Sequence, residues 1–76
     1  MNETARDLIE RIIDTKRAYD AYLIRGEVFK RLNEGKLERQ EAELLYKLAD
    51  DKEQMLSRHE HALHQMENII HHITNF

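Results

Sequence analysis

LLYKLADDKEQMLSRHEHALHQMENIIHHITNF, residues 44–76, returns an apolar side chain on a seven-residue beat that never slips. With Leu45 at position a, Lys52, His59, Met66 and Ile73 also fall at a, and Leu48, Met55, Ala62, Ile69 and Phe76 fall at d. The e positions Ala49, Leu56, Leu63 and Ile70 are apolar as well. An a/d/e pattern belongs to a helix whose wide apolar face other helices must cover. A loop would reset the phase, yet it passes intact from Leu45 through Lys52 to His59. One helix from about Glu38 to Thr74 is therefore expected, in preference to a break capped by Asp50 or Asp51.

Upstream, Leu32-Asn33-Glu34-Gly35-Lys36-Leu37 is the one clear interruption. Gly35 suits the left-handed conformation that ends a helix, and Leu37 suits the apolar partner that folds back onto the last turn. A first helix is expected from residue 2 to about residue 33, capped by Asn2 or Thr4, with Glu3 and Asp7 at the positive end of its dipole. Its inward face reads Ala5, Leu8, Ile9, Ile12, Thr15, Tyr19, Tyr22, Leu23, Gly26 and Phe29. Gly26 costs about 1 kcal/mol relative to Ala inside a helix. It is either tolerated or kept for a close approach or a slight bend.

The expected fold is all-α, a single domain over residues 1–76. It is a coiled-coil-like antiparallel helical hairpin turning at residues 34–37. Two helices cannot cover two a/d/e faces, so two hairpins are expected to pair into a four-helix bundle homodimer.

Composition agrees with helices. The chain has no proline, two glycines and 36% charged residues, the balance of amphipathic helices rather than sheets. No cysteine is present, which removes disulfides, thiol chemistry and cysteine zinc sites and fits a cytoplasmic setting. The net charge of -3 is spread along the chain. Met1 to Leu8 lacks the apolar core of a signal peptide, and no apolar run approaches membrane-spanning length. Arg25, Lys30, Arg31 and Lys36 alternate with Glu27, Glu34 and Glu38, which argues against a nucleic-acid surface.

No catalytic constellation stands out. Ser57 and His59 are two residues apart and point to different helix faces, and no glycine-rich phosphate loop is present. Among His59, His61, His64, His71 and His72, only His61 and His64 have a spacing that suits a shared metal. Leu63 stands where a zincin helix would need its second ligand, so these histidines read as a solvated face. Lys52 and His59 put polar groups into the seam, where they can set register and partner number. In such a hairpin Lys52 falls level with Tyr19 and within reach of Asp20.

A second stripe on the first helix, Ile13, Ala21, Ile24 and Val28, lies off the inward face. With Arg17, Arg25 and Tyr46 as anchors it is read as a contact surface for another chain. The function expected is a small non-enzymatic module without cofactor, acting on itself as a homodimer and on an unidentified protein that it regulates, inhibits or chaperones. A structural assembly factor of phage or secretion type is the alternative, and a histidine-based metal or pH sensor ranks third.

Overall fold

The structure of the chain, a computed structural model, describes residues 2–74. Three helices account for most of them: α1 Glu3–Asp14, α2 Ala18–Asn33 and α3 Arg39–Thr74. No strand occurs among the described residues, and the d position assigned to Phe76 lies outside them. α3 runs straight through Asp50 and Asp51 for 36 residues and sets the 59 Å long dimension of the molecule.

The first helix is not continuous. Thr15 and Arg17 take extended backbone angles, with ψ of 137° and 138°, and separate α1 from α2. The reason is phase. α1 buries Ala5, Leu8 and Ile12, while α2 buries Ala21, Ile24 and Val28. In one unbroken helix Ile12 and Ala21, nine residues apart, would stand about two and a half turns apart on opposite faces. A break of three residues lets both triads face α3.

Two side chains of α3 satisfy the ends that this break exposes. Lys52 Nζ donates to the Ile13 carbonyl at 3.0 Å, a cation on the negative end of α1. The Glu60 carboxylate accepts from the Ala18 amide at 3.0 Å, replacing the side-chain cap that Arg17 does not supply. Lys52 therefore reaches α1, not Tyr19 or Asp20 as a continuous helix would have required.

α1 lies alongside α3 in the same direction. Its capping residue Asn2 accepts from the Ala5 amide at 2.8 Å and donates to Glu41 at 3.0 Å, and its other end meets Lys52. α2 runs the opposite way, because Arg25 pairs with Asp50 at 2.9 Å while Ala18 meets Glu60. The reversal between them sits at Gly35, φ 75°. There the Lys36 amide reaches Arg31 O at 2.9 Å and the Gly35 amide reaches Leu32 O at 3.0 Å, a Schellman termination. Leu37 folds into the core beside it. Arg31 hydrogen-bonds Glu34 on the same tip at 2.8 Å and holds its carboxyl below the ordinary carboxylate range, against a smaller opposing effect of desolvation. Glu41 then accepts from the Glu38 amide at 3.0 Å, half of a capping box at the start of α3.

The core consists of Ala5, Leu8, Ile12, Ala21, Ile24, Val28, Leu37, Ala42, Leu45 and Ala49. α3 contributes its a and e positions. Its d positions Leu48 and Met55 are exposed, because α1 and α2 together straddle the a/e edge of the helix. Tyr19, Tyr22, Leu23 and Phe29, expected inward, are exposed on α2.

Ala21, Ile24 and Val28 are thus core residues rather than a contact surface. Truncating Ile24 to Ala should destabilise the fold by about 2–5 kcal/mol, and Val28→Glu should unfold it by burying an unpaired charge. Urea titration followed by circular dichroism reads both. Val28→Glu melting like the wild type would return this stripe to the surface.

Candidate protein-interaction surfaces

Where α2 crosses α3, Arg25 organises one side of the contact. Its guanidinium bridges Asp50 at 2.9 Å and Glu53 at 3.1 Å and lies over the rings of Tyr22 and Tyr46, 5.3 Å and 5.5 Å from their centroids. Phe29 meets Tyr46 edge to face at 5.2 Å, and Tyr19 stacks on Tyr22 at 6.2 Å. Because Arg25 is held by two carboxylates and two rings, the aromatic side chains around it are held too.

These residues border a chain of open hollows along the α2/α3 contact. A hollow of about 320 Å³ near the tip is lined by Val28, Phe29, Leu32, Arg39, Ala42, Glu43 and Tyr46. The next is lined by Tyr22, Leu23, Arg25, Gly26, Phe29 and Tyr46, and a third extends past Tyr19 to Ser57 and Arg58. The run from Arg39 to Arg58 is about 29 Å of helix at ~1.5 Å per residue. Gly26 sits in the middle of it. A Cβ added there would meet nothing within 4 Å, so no close approach to Gly26 is made among the described residues.

A second apolar surface follows α3 itself. Leu44, Leu48 and Met55 are exposed along its first half, and Leu63, Met66, Ile69, Ile70 and Ile73 along its second. α1 ends beside Lys52 and α2 begins level with Glu60, and every residue from His61 to Ile73 is exposed.

The residues singled out from sequence are scattered by this geometry. Ile13 is 64% exposed and borders a hollow with Lys52, Leu56 and His59. Arg17 is exposed in the α1–α2 break, and Tyr46 is in the aromatic cluster. Ala21, Ile24 and Val28 are buried elsewhere. Lys52 is half-buried as the cap of α1, whereas His59 is exposed. His61 and His64 lie exposed on the uncovered end of α3. Among the described residues, no three His, Cys, Asp or Glu side chains come together in a way that could hold a metal ion. No helix of the described residues is long and apolar enough to cross a membrane.

Tyr22 and Phe29 are the members of the site that sequence reasoning assigned elsewhere, to the core, whereas Arg25 and Tyr46 were named from sequence as contact anchors. The signal was available in the 3-then-4 spacing of Ala21, Ile24 and Val28, which matches that of Ala5, Leu8 and Ile12. Two equal triads half a turn out of phase imply a break, and a break turns the aromatic residues outward.

No family model, curated protein or solved structure matches the chain.

With open space over Gly26, Gly26→Ala should stabilise the isolated chain by about 0.5–1 kcal/mol through the helix preference of alanine. Thermal melts of the two proteins measure this. A lower melting temperature for the alanine variant would mean that α2 needs the glycine for its own packing.

Proposed function

We propose that the chain is a small non-enzymatic interaction module, acting as a homodimer, that seats an amphipathic helix of a larger protein in the α2/α3 groove. Holding such a helix is the means by which it regulates, inhibits or chaperones that protein. In this reading α2 and α3 form an antiparallel helical hairpin with α1 laid against it, working in a cytoplasmic setting. The supporting observation is the aromatic face around Gly26: Tyr22 and Tyr46 exposed yet held by Arg25, with Phe29 packed edge to face on Tyr46.

Three physical points favour that use. Tyr and Arg anchors dominate binding energy at protein contacts, and anchors already ordered lose little entropy on binding. A groove of about five helical turns suits helix-in-groove recognition, in which side chains one turn apart fill successive hollows. Gly26 is a weak helix former with open space beside it among the described residues, and a missing side chain is what lets a second backbone come close.

Affinity capture from the source cell tests the reading, using the wild-type chain beside a Tyr22→Ala, Phe29→Ala double variant whose helicity is checked by circular dichroism. A protein held in stoichiometric amount by the wild type and at least tenfold less by the variant is expected. Recovery of capsid, tail or secretion subunits would point to the assembly role instead. Equal recovery by both chains would show that the aromatic groove is not the binding surface.

A further inference from the structure

We infer that the uncovered end of α3 is completed by a second copy of this chain, bound antiparallel about a two-fold axis between Glu60 and His61. The inference rests on the homodimer of the preceding reading and is independent of the helix groove.

The surface runs along α3, with exposed Asp51 the one charged side chain on its line between Leu48 and Met55. At about 100° per residue, Leu44, Leu48, Met55, Met66, Ile69 and Ile73 fall within roughly 60° of one another around the helix axis. Tyr46 and Asp50, which meet α2, lie on the opposite side. The stripe therefore spans both the part of α3 that α1 and α2 accompany and the part they leave bare. Met66 is 57% exposed, Ile69 59% and Ile73 63%. A stripe present on both parts is self-complementary, which a two-fold interface requires.

Polar residues in the heptads choose the orientation. Parallel copies in register would set exposed His59 beside His59 at the edge of the stripe, whereas Lys52 is already turned onto α1. In an antiparallel pair each a residue meets a d residue instead. With the axis between Glu60 and His61, Lys52 falls level with Ile69 of the second copy and His59 with Ala62.

Charge and length then choose the register. The same axis sets Met55 level with Met66 and Leu48 level with Ile73 of the second copy. At the flanking g positions it sets Arg58 against Gln65 and Asp51 against His72. Moving the axis one step earlier, to Ser57, brings Arg58 onto Arg58. A further step sets Met66 and Ile69 level with Glu41 and Glu38. An axis at His64 brings Arg58 opposite His72.

The chosen axis also coincides with the end of the packed body, marked by the hydrogen bond from Ala18 to Glu60. Two such bodies then lie end to end without overlapping. Each receives the 61–74 end of the other copy as a fourth helix over Leu48 and Met55. Four helices around each core is the usual solution for helices with wide apolar faces.

The chain has no cysteine, so single cysteines report neighbours cleanly. Met55→Cys and Met66→Cys variants, both at exposed positions, are made separately, checked for wild-type helicity, and oxidised in a glutathione buffer alone and mixed. Mixing should give a disulfide-linked dimer of the two variants at least tenfold more abundant than the dimers of either variant alone. In this register the two copies of Met55 stand about 16 Å apart, eleven residues along the axis. Dominant Met55–Met55 linkage would show parallel copies and overturn the arrangement. No linkage, in a protein of twice the 9.2 kDa chain mass by light scattering, would place the dimer contact on another surface and also overturn it. A 9.2 kDa particle at micromolar concentration would remove the homodimer itself while leaving the helix groove standing.

Discussion

Two apolar triads that are half a turn out of phase, Ala5-Leu8-Ile12 and Ala21-Ile24-Val28, control this structure. One continuous helix cannot present both to α3, and burying either alone would leave about half of a small core in water. Each large apolar side chain buried is worth about 1.5–3 kcal/mol, more than breaking one helix at three residues costs when its open ends find other partners. Lys52 and Glu60 are those partners. The break, the direction of α1 and the outward turn of the α2 aromatics follow from this phase difference.

α3 thereby acts as a spine with three uses around its circumference. Its a/e edge, Leu45 and Ala49, anchors the core. Its Asp50 and Glu53 edge holds Arg25 and through it the aromatic groove. Its d edge carries apolar side chains that stay exposed among the described residues. A heptad sequence with apolar a, d and e positions is wider than one seam needs, and the surplus is where other chains are expected to bind. The same surplus leaves a domain of this size marginal alone.

The sequence made some of this readable. α3 was legible because its heptads keep phase over more than thirty residues, and the turn because Gly35 offers left-handed geometry where a short polar stretch divides two periodic ones. The break at Thr15–Arg17 was not. It contains no glycine or proline, and Tyr19, Tyr22, Leu23 and Phe29 continue the α1 register with larger apolar side chains than Ala21, Ile24 and Val28. Counting hydrophobicity along a presumed continuous helix selects the bulkier face. Tertiary contact reverses that choice, since the smaller residues allow α2 to approach α3 closely. The capping by Lys52 and Glu60 depends on residues about 40 positions away, which no local pattern reveals. The partners of Arg25 were hidden for the same reason: its carboxylates and rings converge only once α2 and α3 are antiparallel.

All later steps depend on α1 and α2 being separate helices, because that separation decides which residues of α2 are core and which are offered to other chains. Backbone Cα chemical shifts of the intact chain in solution measure it directly. Helical shifts are expected over residues 4–14 and 18–33, with Thr15, Lys16 and Arg17 at coil or extended values. Unbroken helical shifts from residue 4 to residue 33 would contradict it, returning Tyr22 and Phe29 to the core and removing both the aromatic groove and the exposed d edge of α3.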